Sequence, residues 1–309
     1  MNKRIIVSTI GKIILLEVLL MIPALLVSLI YGDGDTMGFL ITMVPAGIAG
    51  AAFTSVKQSG QRMSSRDGYF IVASAWILIS LIGALPLYIN GGFASYWDAL
   101  FEIVSGFTTT GASILAAPEE LGHGVLFWRS FTHWIGGMGV LVFLLMVMPM
   151  ENDNSMHLVR AEVPGPTAGK LVPRMRTTSM ILYGIYGIMT LILVVLLCLF
   201  GMKPFDSFCI AFGTAGTGGF AVSSAGIAGY NSLAIEVTLG IFMLLFGVNF
   251  TVYHLIMLRK IKDALFMEEV RAYFAIVAAA TVAITWNILS FAGGLGNALR
   301  QAFFQVTSI

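Results

Sequence analysis

Apolar residues run in seven long stretches, at about 5–30, 37–56, 69–89, 125–149, 178–201, 232–258 and 272–292. Each is close to the ~20 residues that a helix needs to cross a bilayer. Two further stretches, Tyr96 to Phe107 and Pro204 to Ala215, are amphipathic and too short to cross. Each runs into a Thr/Gly-rich patch: Ser105-Gly106-Phe107-Thr108-Thr109-Thr110-Gly111 in the first case, Gly213-Thr214-Ala215-Gly216-Thr217-Gly218-Gly219-Phe220 in the second. Laying Asp98 on Asp206 also lays Gly111 on Gly219, an equal spacing of thirteen residues. The pattern predicts an all-α, polytopic membrane protein in which the order span, re-entrant helix, backbone loop, span occurs twice. Thr and Gly let backbone carbonyls face a cation and replace its hydration shell, so this is the layout of an ion-conducting pore repeat.

Charge fixes the expected orientation. If the spans alternate from an inside N-terminus, Lys3, Arg4, Lys57, Arg62, Arg66, Arg160, Lys170, Arg174, Arg176, Arg259, Lys260, Lys262 and Arg271 share one side, leaving Lys203, Arg129 and Arg300 for the other. Positive charge concentrates on the cytoplasmic side of membrane proteins, so both Thr/Gly loops are expected in the outer half of the bilayer. Each re-entrant helix then enters from outside and points its negative C-terminal end toward the loop, which favours a cation. Asp98 and Asp206 complement the positive ends, and Pro204 suits a first helical position.

Composition agrees. The chain of 309 residues is 58% hydrophobic and 11% charged, with a mean hydropathy of +0.90, where soluble domains carry roughly 25% charged residues. The net charge of +1 and the absence of a basic cluster give no reason to expect nucleic acid. Cys198 and Cys209 stand in apolar context and suit small core residues rather than a metal site or a disulfide. The basic start followed by an apolar stretch reads as a retained first helix, because Lys12 and Glu17 lie within it. Gly216-x-Gly218-x-x-Ala221 fits a dinucleotide-binding pattern by letter but lacks the strand–loop–helix unit that such a site needs.

These motifs resemble the TrkH/KtrB family of potassium uptake proteins, and its TrkH branch in particular. Residues 1–57 resemble that branch's additional helix pair and 68–150 its first pore repeat, with filter Thr108-Thr109-Thr110-Gly111-Ala112. Residues 151–176 resemble its cytoplasmic loop, where Arg160-Ala161-Glu162-Val163-Pro164-Gly165-Pro166 stands. Residues 177–258 resemble the second repeat, with filter Gly216-Thr217-Gly218-Gly219-Phe220, and 271–309 the start of a third. The resemblance implies selective potassium uptake across the bacterial inner membrane, with potassium bound by the filter residues and no covalent cofactor. It also implies a homodimer and gating by a TrkA-like cytoplasmic nucleotide-binding subunit. Gly111 and Gly219 take the place of the single central glycine that the family's filters keep in each repeat.

Other readings stay open at this stage. A relative that passes sodium, or that couples transport to another ion, fits the same motifs. A structural or enzymatic membrane subunit would need a nucleophile–base pair at membrane depth, and no such pair stands out. Asp98, Glu102 and Asp206 are expected to face the outer vestibule, Arg129 to reach the interface, and His133 to share its helix face. His254 reads as a packing residue, and Asn249 is either pore-lining or an interhelical hydrogen-bonding group. Gly296 to Ile309 aligns with the first re-entrant helix when Ala302 is laid on Ala99 and Ser308 on Ser105. The chain is therefore expected to stop short of a third loop, and residues 1–309 alone to insert without conducting.

Overall fold

The computed structural model describes residues 2–56, 64–139 and 175–308. The described residues are helical, without strands. The second half of the expected span 125–149 and nearly all of the expected loop 151–176, including Arg160 to Pro166, lie outside them, and the last two residues of that loop already belong to a helix. Among the described residues five helices are long and apolar enough to cross a membrane, and a bent pair makes a sixth if it counts as one span. The chain is a multi-pass membrane protein.

Two compact units emerge, one made of 1–108 and 112–180, the other of 109–111 and 181–309. In the first, α1 (Lys3–Tyr31), α2 (Thr36–Thr54) and α3 (Ser65–Ile89) are the long apolar helices, α4 (Tyr96–Phe107) is short, and α5 (His123–Gly137) follows it. Helix α1 packs against α2, α3 and α5, and α4 packs against α3 and α5. The ends follow local chemistry. The Asn2 side chain caps α1, and Gly32 at φ 71° closes it. Ser64 and Asp67 form a reciprocal capping box at the start of α3, and the Asn2 amide donates to Asp67 at 3.1 Å, joining the ends of α1 and α3.

At the opposite end of α1, Asp35 is the tie. Its carboxylate, 5% exposed, accepts from the Ser28 hydroxyl and from the Val125 amide at 3.0 Å. An anion at the first turn of α5 also complements that helix's positive end. Asp35→Ala leaves the buried Val125 amide without its acceptor and the Ser28 hydroxyl to Thr36, so thermal unfolding should show a loss of about 1–3 kcal/mol; an unchanged transition would refute the tie. Beside it, the His123 amide and ring donate to Asp33, at 2.8 and 2.6 Å, and hold that carboxyl below its ordinary range.

The second unit holds most of α6 (Met175–Leu199), then the short α7 (Pro204–Ala215), α8 (Leu233–Phe246), α9 (Phe250–Met257), α10 (Ile261–Leu265), α11 (Glu268–Ile288) and α12 (Leu295–Ser308). Tyr186 of α6 meets Phe246 and Phe250 edge to face, and α12 packs on α8 and α11. The expected single span 232–258 is corrected here. Helices α8 and α9 meet at 86° across Gly247–Asn249. The Asn249 side chain caps α9 by accepting from the Thr251 amide, so a new helix starts where the old one stops.

Candidate functional site: two short helices and their loops

The two short helices have the bounds that the sequence pattern predicts, and each is twelve residues long. At ~1.5 Å per residue that is about 18 Å, well short of a ~30 Å hydrocarbon core. Ser95 caps α4 through the Asp98 amide at 3.2 Å, and Pro204 opens α7. Asp98 and Asp206 occupy the first turns. The loops that follow share an unusual backbone. Thr109 and Gly111 lie at φ 56° and 75°, and Thr217 and Gly219 at 57° and 79°. Thr110 and Gly218, between them, are not left-handed. A β-branched residue at positive φ is a rare and costly conformation, and here it occurs twice at the same register.

In the second loop the amides of Gly218 and Gly219 both turn back to the Gly213 carbonyl, at 3.0 and 3.1 Å, and that of Thr217 to Thr214. The loop's own carbonyls are thereby left to other partners. Residues 109–111 cluster with this second unit. A Cβ on Gly111 would collide with the Gly218 carbonyl oxygen, whereas a Cβ on Gly219 would meet open space.

Behind the first loop lies a buried ion pair. Glu102 of α4 and Arg129 of α5 are 0% and 1% exposed, with Arg129 Nε donating to Glu102 Oε1 at 2.6 Å. The Ser113 hydroxyl donates to Oε1 at 2.8 Å and accepts from Arg129 at 3.1 Å, while the Ile114 amide donates to Oε2 at 3.2 Å. Lower on the same α5 face, Thr132 packs on Gly106, His133 is buried beside Ser105, and Gly136 backs onto the Phe107 carbonyl. Positions 129, 132, 133 and 136 form the i, i+3, i+4, i+7 stripe of one helix face. All four serve the C-terminal half of α4.

A family model described as TrkH, cation transport protein, matches residues 36–309. The chain belongs to the TrkH family. It is 33% identical to the Trk system potassium uptake protein TrkG of Escherichia coli, over 99% of this chain and 64% of that one. With the TrkH of Halomonas elongata the identity is 31%, over 100% of this chain and 65% of the other. The crystal structure of the potassium transporter TrkH from Vibrio parahaemolyticus is similar over 100% of this chain and 64% of its own, with a TM-score of 0.85 at 29% identity. The chain thus spans just under two thirds of the length of these relatives.

In this TrkH-family chain several expected placements change. Glu102 does not face an outer vestibule, because Arg129 and the loop after Gly111 enclose it. Arg129 does not reach an interface for the same reason. Asp206 accepts from the Tyr230 hydroxyl at 3.0 Å, and burial, then this carboxylate, push the tyrosine's pKa up. Asn249 donates to Glu269 of α11 at 3.2 Å, the interhelical alternative of the two that the sequence left open. Trp128 is wholly buried and donates to the Gly83 carbonyl at 2.9 Å, a packing role. The Glu102–Arg129 pair is what the sequence reading missed. Its one available signal was that two opposite charges stand on helices flanking the same loop.

Proposed function

We propose that this chain forms part of a potassium-uptake pore in a bacterial inner membrane, with backbone carbonyls of Thr108, Thr109, Thr110, Gly111, Gly216, Thr217, Gly218 and Gly219 contributing to its filter. The observation that carries the reading is the repeated left-handed pair, Thr109 with Gly111 and Thr217 with Gly219, after two twelve-residue helices. Strain at matched positions is the mark of a backbone held for a purpose. The short helices aim their negative C-terminal ends at the loops, which suits a cation. Potassium as that cation is supported by relatives named for potassium uptake. The pore would consist of repeats at 68–150 and 177–258, preceded by the helix pair 1–57 and followed from 271 by the start of a third. An inside N-terminus follows from the distribution of Lys and Arg. A homodimer and a TrkA-like nucleotide-binding gate complete the proposal on the family resemblance. The protein moves an ion and makes or breaks no covalent bond.

The test is growth. Expressed from its intact gene, the protein should restore growth of a potassium-uptake-deficient bacterium at low potassium, and membrane vesicles should take up potassium in preference to sodium. A membrane-inserted protein that gives neither rescue nor potassium flux overturns the reading. Equal or greater sodium uptake would replace it with that of a sodium-permeable relative.

A further inference from the structure

Resting on the filter reading above, we propose that Glu102 and Arg129 are positioning residues for ion selection, acting through Ser113 and Ile114 to fix the first loop. Residues 109–111 are bracketed on both sides by bonds to α4. On one side Thr108 continues directly from α4, its amide and hydroxyl both donating to the Val104 carbonyl, at 2.9 and 2.7 Å. On the other side Ser113, two residues past Gly111, and the next amide, Ile114, are bonded to the Glu102 carboxylate. Both ends of the strained segment are therefore anchored to the same helix. Arg129 compensates the buried carboxylate and donates to the Ser113 hydroxyl, a third bond on this side of the segment.

A purely stabilising role does not account for this arrangement. Buried ion pairs roughly break even against apolar residues of similar volume. The chain itself makes that comparison: the register that lays Asp98 on Asp206 lays Glu102 on Ile210, which is 4% exposed. Helix α7 and its left-handed loop form with an isoleucine there. The second loop is instead held by amides bonded to the Gly213 carbonyl. What the pair adds in the first repeat is direction. Charge-assisted hydrogen bonds specify where Ser113 and Ile114 sit, and through them where the carbonyls of residues 109–111 point.

Two conservative variants expressed from the intact gene test this. Glu102→Gln keeps volume and loses the charge; Ser113→Ala keeps the ion pair and removes the Ser113 part of its link to the loop, leaving the Ile114 amide on Glu102. Normalised to membrane abundance, the potassium-to-sodium uptake ratio should fall about tenfold in Glu102→Gln and about threefold in Ser113→Ala. Amide hydrogen exchange of a peptide covering 108–117 should quicken in both, while peptides of α1 and α3 stay as in the unsubstituted protein. The ion pair survives in Ser113→Ala, so a role confined to stability predicts an unchanged ratio there. Ratios equal to that of the unsubstituted protein in both variants overturn the proposal. If the unsubstituted protein passes no potassium, the filter reading itself fails. The exchange measurement then still decides the anchoring: unchanged exchange refutes it, and quickened exchange upholds it as a property of the loop.

Discussion

Gly111→Ala is expected to abolish selective potassium uptake, whereas Gly219→Ala should only weaken it. Both positions are left-handed, at φ 75° and 79°, and a Cβ in that region costs about 1–2 kcal/mol. Only at Gly111 does the Cβ also meet a backbone atom, the Gly218 carbonyl oxygen. A flexible side chain can swing aside, but a carbonyl held by its own strained loop cannot. Overpacking adds about 1–3 kcal/mol, so the two variants should differ by at least about fivefold in potassium-to-sodium uptake ratio. The measurement is parallel potassium and sodium uptake, normalised to membrane abundance. Equal losses, or a greater loss at Gly219, would mean that the close approach of the two loops does not govern ion passage.

Removing Arg129 should be the most destabilising single change in the first unit. Arg129→Met leaves the Glu102 carboxylate wholly buried without its cation, at an expected cost of about 3–5 kcal/mol. Pairing it with Glu102→Leu removes the orphaned charge and should recover most of that loss. Thermal unfolding of the singles and the double in detergent gives the coupling directly. Arg129→Met unfolding at the same temperature as the double variant would show that the carboxylate finds other partners. The recovered double variant should nevertheless discriminate poorly between potassium and sodium, because stability returns without the bonds to Ser113 and Ile114.

The membrane class, the helical fold and the two short helices were legible because each depends on a local quantity. A run of apolar residues can be compared with bilayer thickness, and Asp98, Pro204 and the Thr/Gly patches mark the ends of α4 and α7 within a few residues of chain. The equal spacing from Asp98 to Gly111 and from Asp206 to Gly219 likewise reappears as two loops with the same left-handed residues. The broken span at Gly247–Asn249 was not legible, since α8 and α9 together have the composition of one continuous helix. What separates them is a cap at Asn249, which also reaches Glu269 on another helix.

By itself, then, the sequence determined which segments are helical, which of them are too short to cross a bilayer, and which residues supply the strained loops. Only the tertiary structure decided that Glu102 turns inward to Arg129, twenty-seven positions along the chain, and that Gly111 lies against the Gly218 carbonyl. The physical reason is that hydrophobic pattern records whether a residue sits among apolar or polar surroundings averaged along the chain. It carries no record of which neighbour a buried charge will meet, or of where one backbone will press on another.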